Sequence, residues 1–309
     1  GGSTYSTGVV YQLDGASVTE ANYYNTSNFN SASSRKIIIT VAASAPTLYY
    51  FCHYHSGMGG QINTNSTFGS SNFSGSIQST VSASTDAGFS IISYTGVGGT
   101  SNTLGHGLGV KPKMFIVKCR SHAGEYWGTW IDTDGDGTSN YRLSLNVTDA
   151  AYGNDPITFS NSTITLPSSA NTQWDGSGRT YIGFCFAEKK GYSKFGSYTG
   201  TSSQVFIYTG FKPKFILIKK SSEGASWHLF DTSRTVSNGG NQLNKILFPN
   251  SSNAESDDAY NYVDAVSNGF RCFSGPSGQG TETNKSGHTF IYMAFSESSF
   301  VNSNGVPTN

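Results

Sequence analysis

Roughly the last two thirds of this chain is written twice, and the copies agree in residues that shape turns and strands. Gly88-Phe89-Ser90 leads through Tyr94-Thr95-Gly96 to Gly109-Val110-Lys111-Pro112-Lys113-Met114-Phe115-Ile116-Val117-Lys118. Gly191-Tyr192-Ser193 leads through Tyr198-Thr199-Gly200 to Gly210-Phe211-Lys212-Pro213-Lys214-Phe215-Ile216-Leu217-Ile218-Lys219. A tryptophan-bearing stretch follows in each (Trp127, Trp130 and Asp132; Trp227, Phe230 and Asp231). Each copy closes alike, with Gly178-Arg179-Thr180-Tyr181-Ile182-Gly183-Phe184-Cys185-Phe186 against Gly287-His288-Thr289-Phe290-Ile291-Tyr292-Met293-Ala294-Phe295. A period of roughly 100 residues means a duplicated domain, not a solenoid of short repeats. No Asp/Glu pair, His/Cys cluster or Ser/His/Asp set occurs in both copies, so the recurring residues are scaffold and any site belongs to what does not recur.

The duplication divides the chain into a first unit at 1–65, a polar, partly extended linker at 66–87, copy one at 88–188, copy two at 191–299 and a polar tail at 300–309. Strands are expected over 8–11, 35–41 and 47–51 in the first unit. In the copies, Met114-Phe115-Ile116-Val117 and Phe215-Ile216-Leu217-Ile218 are short continuous apolar runs, the pattern of strands buried on both faces. Pro112 and Pro213 precede them, where a missing N–H costs the ladder nothing. Phe115, Val117, Ile182, Phe184 and Phe186 are expected in the core of copy one, and Phe215, Leu217, Ile291, Met293 and Phe295 in that of copy two. The best helix candidate, 254–266, lacks an apolar stripe. Short strands with turn signals every ten or so residues point to one antiparallel sandwich per copy.

Nineteen basic and nineteen acidic residues cancel, so no net field draws the chain to nucleic acid or an anionic membrane. Charged residues make up 12%, well below the usual quarter, which leaves Gly, Ser, Thr and Asn to form the polar surface. No apolar run is long enough to cross a bilayer and no signal peptide is present. The chain opens on Gly1-Gly2 instead of Met, the expectation for part of something longer. Cys52, Cys119, Cys185 and Cys272 form no C-x-x-C pair, and the places of Cys119 and Cys185 in copy two hold Lys220 and Ala294. Free buried thiols are expected.

Three groups of residues carry candidate chemistry. Cys52, His55 and Met58 lie at C-x-x-H-x-x-M spacing after an aromatic strand and resemble the ligand loop of the cupredoxins: thiolate, imidazole and weak axial thioether for copper. The second histidine has no counterpart upstream, since the first histidine is the neighbouring His53, so copper is not expected and Gly57, Gly59 and Gly60 read as tight-turn residues. Asp132, Asp134 and Asp136 copy the first half of a D-x-D-x-D-G calcium loop, but Leu143 stands where the closing acid belongs. Copy two has Asp231-Thr232-Ser233-Arg234 there, so calcium is open in copy one alone, against an acidic hairpin tip. Tyr126, Trp127, Trp174, Tyr260 and Tyr262 are candidates for stacking on sugars, against a role in a core or an oligomer interface. His106, His122, His228 and His288 lack acidic neighbours at ligand spacing.

The block G-[FY]-S, Y-T-G, G-[VF]-K-P-K, G-x-T-[FY]-I, F-[AS]-E resembles a domain recurrent in marine bacteriophage virion proteins, tail-fibre-like and head-fibre-like. The segment from Ala45 to Ile62 is similar to a cupredoxin-like module found ahead of it. The resemblance implies an all-β chain, a partial cupredoxin-like N-terminal unit followed by two homologous antiparallel β-sandwich domains. It implies a virion structural protein without enzymatic activity, a fibre or decoration subunit acting in host attachment; the alternative is a lectin-like carbohydrate-binding module. Expected partners are other virion proteins, further copies of the chain (a trimer, by the fibre resemblance) and a host-surface glycan, with no nucleic acid and no membrane insertion. The first unit is expected toward the particle and copy two distal.

Overall fold

The computed structural model describes residues 5–40, 48–51, 59–62, 69–167, 171–201, 203–234, 241–257, 263–274 and 280–297. The described elements are all-β, with antiparallel sheets and four short helices. No helix among them is long and apolar enough to cross a membrane.

The chain divides into units at 1–70 and 71–309. The first holds β1 (Val9–Leu13), β2 (Ala16–Val18), α1 (Glu20–Tyr23), α2 (Thr26–Ser31), β3 (Arg35–Ile39), β4 (Leu48–Phe51) and β5 (Gly59–Ile62). β2-β1-β3 form one sheet and β4 pairs with β5. The helices are single turns begun by the side chains of Thr19 and Asn25, which accept backbone N–H groups that helical bonding leaves open. Turns this short leave no periodic signal in a sequence.

The second unit begins with β6 (Ser70–Asn72) and β7 (Ser79–Ser84), then β8 (Phe89–Thr95), β9 (Thr103–Gly105), β10 (Met114–Cys119), β11 (Trp127–Ile131), β12 (Thr138–Ser144), β13 (Tyr152–Phe159), β14 (Thr163–Thr165), α3 (Thr172–Asp175) and β15 (Thr180–Phe186). These strands form one ten-stranded sheet ordered β6-β7-β8-β15-β10-β11-β12-β13-β14-β9. An Ile77–Leu104 bridge brings its two ends together, so the sheet nearly closes on itself. The second half has β16 (Ser193–Thr199), β17 (Gln204–Tyr208), β18 (Phe215–Lys220), β19 (Trp227–Asp231), β20 (Gln242–Leu243), β21 (Lys245–Ile246), β22 (Ser256–Asp257), β23 (Val263–Val266), β24 (Gly269–Phe273), α4 (Thr281–Asn284) and β25 (Thr289–Phe295). Its sheets run β16-β25-β18-β19 and β17-β24-β23-β20, which is the order β8-β15-β10-β11 and β9-β14-β13-β12 of the first half. The region proposed as the best helix candidate is instead β22 and β23 where it is described.

Two expectations need correction. The stretch 66–87 is no mere linker: β7 pairs with β8 over six residues, Ser79 opposite Tyr94 to Ser84 opposite Phe89. Its Ser/Thr-rich composition hides a strand with one buried face, because Ile77 and Val81 turn into the core while their neighbours meet solvent. The expected core also splits between two layers. Phe115 and Val117 face the first half's own core with Tyr181 and Cys185. Phe184 and Phe186 point the other way, with Ile182 on their side of the strand, and pack on a seam between the halves. Phe215, Leu217, Ile291, Met293 and Phe295 lie on that same seam, and the second half's own core is built from Ile216, Ile218, Phe290, Tyr292 and Ala294. The counterpart of Phe115 in the second half is Ile216, as the Lys-Pro-Lys alignment has it; a side-chain period of two turns a one-residue offset into a change of face.

The seam explains why these strands are apolar throughout: one face serves the strand's own half and the other the neighbouring half. Met114, Ile116, Ile131 and Leu143 meet Phe195, Leu217, Trp227, Ile291 and Met293, each large side chain contributing roughly 1.5–3 kcal/mol by leaving water. Polar links cross it too: Trp227 Nε1 donates to the Ser144 carbonyl at 2.9 Å and Ala151 N to that of Ser221 at 2.8 Å.

Candidate functional site

The recurring motif residues are spent on a shared closure. Tyr94 donates its hydroxyl to the Trp174 carbonyl at 2.6 Å, and Tyr198 does the same to Thr283 at 2.6 Å. Tyr94 stacks on Tyr181 with ring centroids 5.0 Å apart, and Tyr198 on Phe290 at 5.0 Å. Gly96 N donates to the Arg179 carbonyl and Gly200 N to that of His288. A Cβ on Gly96 would lie 2.4 Å from the Gly176 carbonyl oxygen, and one on Gly200 2.1 Å from that of Lys285, so neither position admits a side chain without backbone movement. The buried Asp175 carboxylate accepts from Val97 N, Gly98 N and Asn102 Nδ2, while Asn284 accepts from Thr201 N and donates to Ser203 and Cys272. Tyr-Thr-Gly and Gly-x-Thr thus hold α3 and α4 against the strand ends, a structural duty in both halves.

What does not recur opens a groove in the first half. A cavity of about 450 Å³, open to solvent, is lined by Gln78, Ser79, Thr80, Ser93, Thr95, Val97, Arg120 and Thr180, over Ile77 and Tyr94. Among the described residues β7 has no counterpart beside β16, and Arg120 is matched by Ser221 in the second half. Arg120 is exposed while its N–H is fixed on the Thr180 carbonyl at 2.7 Å. The lining offers hydroxyls, a carboxamide and one guanidinium, and includes no carboxylate, imidazole or thiol. Such a surface can hydrogen-bond a polar ligand but supplies no general base to activate a nucleophile. Sequence reasoning missed this groove because the strand that walls it is disguised by its serines and threonines.

Asp132, Asp134 and Asp136 do come together, with a carboxylate oxygen of each within 4.8 Å of the others. Asp132 is buried and committed: it pairs with Lys113 Nζ at 2.9 Å and accepts from Gly135 N and Gly137 N. Asp134 and Asp136 accept from the backbone two residues ahead, as turn-forming aspartates do. Lys111 Nζ reaches the Asp136 carbonyl at 3.2 Å. In the second half Arg234 lies between Asp231 and Glu255 and also donates to the Leu229 carbonyl. Each turn therefore carries its own cation.

Of the stacking candidates, Trp174 is a correction: it has no exposed surface, meets Trp130 edge-on at 5.5 Å and lies under the Arg142 guanidinium. The helical turn that carries it packs inward, so no sugar can reach it. Trp127 is half-buried, stacked against Phe184 on the seam. Tyr126 is exposed. Tyr260 and Tyr262 lie outside the described residues, as do Cys52, His55 and Met58. His106 is buried and takes the Leu108 N–H on Nδ1; burial holds its pKa below the ordinary value. Cys119, Cys185 and Cys272 are buried free thiols, and burial pushes the Cys185 and Cys272 pKa values up.

Two polar clusters gave no sequence signal. Arg142 Nε meets Asp155 at 3.1 Å and its Nη1 donates to Gln173 at 2.8 Å and Ser144 at 3.2 Å, pinning β12 to β13 and α3. Lys219, fully buried, donates to the carbonyls of Thr148, Lys220 and Ala225. Each depends on a contact distant in sequence, Arg142 on Gln173 and Lys219 on Thr148, which no local pattern encodes.

Fold and groove together define an all-β protein whose repeated residues build scaffold and whose accessible concavity is lined by hydroxyl, carboxamide and guanidinium groups. The chain belongs to the family described as Domain of unknown function (DUF7483), which matches residues 63–299. That match takes in β7 along with both copies. Comparisons with curated proteins and with solved structures give no match.

Proposed function

We propose that the chain is a non-enzymatic bacteriophage virion protein, a fibre or decoration subunit that attaches to a host-surface glycan through the groove beside β7. The observation that carries this reading is the lining itself: Gln78, Thr80, Ser93, Thr95, Thr180 and Arg120 present donors and acceptors on an open surface with no acid–base pair. Neutral sugars are recognised by such hydroxyl and amide arrays, and the guanidinium adds a forked donor for a hydroxyl pair or a carboxylated sugar. Virion location and the cupredoxin-like first unit rest on the sequence resemblance, and the reading of the halves as homologous sandwich domains is supported by their common strand order. The same groove supports the alternative, a lectin-like module that acts as an isolated chain.

A glycan array probed with the intact chain and with Arg120→Ala tests the binding. Selective signal that falls at least tenfold in the variant is expected; no glycan signal, or one indifferent to Arg120, overturns it. Immunogold labelling of virions with antibody to the chain separates the two readings, since the lectin-like alternative predicts unlabelled particles.

A further inference from the structure

The two halves differ at one edge. In the first, β7 covers β8; in the second, β16 ends its sheet, and no described strand pairs with its outer side. Gly200 N donates to the His288 carbonyl at one end of β16 and Ser296 N to the Tyr192 carbonyl at the other. These bonds fix the parity of the ladder: even-numbered residues bond to β25, and odd-numbered ones turn their N–H and C=O outward. Ser193 N bends back to Lys189, which leaves Phe195, Ser197 and Thr199 presenting the open ladder. Of their counterparts Ile91, Ser93 and Thr95, the first two lie opposite Ser82 and Thr80 of β7, so the same type of edge is already paired once within this chain.

We infer that β16 pairs antiparallel with β16 of a second copy, across a two-fold axis at Ser197. That is the register that employs all three outward residues: Ser197 faces the partner's Ser197, and Phe195 the partner's Thr199. It is also sterically and electrostatically self-consistent. Gly196 falls opposite the partner's Tyr198, small against large, and Lys194 opposite the partner's Gly200, so no like charges oppose one another. Lys194 is the residue that would ordinarily deter edge pairing, but its ammonium is held by Glu188 at 2.7 Å. Ser197 and Thr199 are exposed. A formal net charge of zero adds no long-range repulsion between copies. The contact is isologous and closes at two copies. It goes beyond the glycan reading and does not depend on it.

The test is mild oxidation of the full-length Ser197→Cys chain, with the parent chain as blank and Thr199→Cys as register control. Ser197→Cys is expected to give a reducible band of twice the chain mass, because residues at the axis face themselves; Thr199→Cys, facing Phe195, is expected to give none. Light scattering at micromolar concentration should show a dimer for the parent and half that mass for Ser197→Pro, which keeps the bonds to β25 and blocks the edge. A monomeric parent, an oligomer with no Ser197→Cys crosslink, or crosslinking as strong at Thr199→Cys overturns the inference. The cysteine readout decides even where the proline variant fails to fold.

Discussion

Replacing Lys219 by methionine should remove a pH dependence that this side chain alone imposes on stability. Its ammonium has no exposed surface and donates to the carbonyls of Thr148 at 3.1 Å, Lys220 at 2.9 Å and Ala225 at 2.8 Å. The first acceptor belongs to the other half, so the lysine sits on the seam. Burial is the largest influence and draws its pKa from 10.5 to about 8; Glu282 opposes that, Lys220 adds to it and Asp149 opposes it. Because the folded value lies below the unfolded one, the unfolded chain binds more protons between pH about 8 and 10.5. Stability from this group therefore rises with pH across that window. The full depression corresponds to about 3 kcal/mol, of which about 1 kcal/mol is gained between pH 7 and 9. For a unit of this size that is roughly 2–4 °C in Tm.

Other groups titrate nearby, so the quantity to measure is a difference. Cys185 and Cys272 have pKa values raised by burial, and they remove stability as pH climbs past the ordinary thiol value. Urea unfolding of the parent and Lys219→Met at pH 7, 8 and 9, at constant ionic strength, cancels their contribution. Stability of the parent minus that of the variant should grow by about 1 kcal/mol from pH 7 to 9. A difference that stays flat, or that shrinks, would falsify the argument and mean that the three carbonyls keep the ammonium at its ordinary pKa.

Tyr198→Phe and Tyr94→Phe each remove a buried hydroxyl donor and should each cost about 1–1.5 kcal/mol with unchanged far-UV circular dichroism; a neutral pair would show that the closure is held by stacking alone. Leu217→Ala empties part of the seam and should lower stability by about 2–4 kcal/mol in urea unfolding; a loss under roughly 0.5 kcal/mol, typical of surface sites, would mean that the halves do not pack as described. Millimolar calcium should leave the Tm unchanged, since Lys113 already occupies Asp132; a clear rise, abolished in Asp134→Asn, would show that the ion displaces the lysine.

The scaffold was legible wherever a local rule set it. Pro112 and Pro213 mark strand entries because proline cannot donate to a ladder, and β10 and β18 follow directly. Continuous apolarity told that these strands are covered twice, but not by what: period two separates the faces without naming their partners. Phe115 and Phe215, one step apart in the aligned motif, therefore both read as core although they serve different layers. Trp174 shows the opposite failure, since a tryptophan between Gln173 and Asp175 has loop-like neighbours and is buried only because α3 turns it toward Trp130. The acidic turn was found by its spacing, yet its neutralisation by Lys113 comes from the neighbouring strand and left no mark beside it.

A duplicated chain offers its own control, because the same strand order is solved twice with different residues. Where both solutions agree, as in the Tyr94 and Tyr198 hydroxyls aimed at helical carbonyls, geometry is what has been kept. Where they part, one half has acquired something the other lacks. One such difference is at the outer edge of β8 and of β16. On β8 the edge is closed by β7, and the closure creates the Arg120 groove. On β16 it stays open, and the ladder of Phe195, Ser197 and Thr199 is left to pair outside the described chain. One added strand thus separates the half in which we propose a ligand groove from the half in which we propose a contact with another copy. A variant that shortened β7 would be expected to lose the groove and expose a second open edge at once.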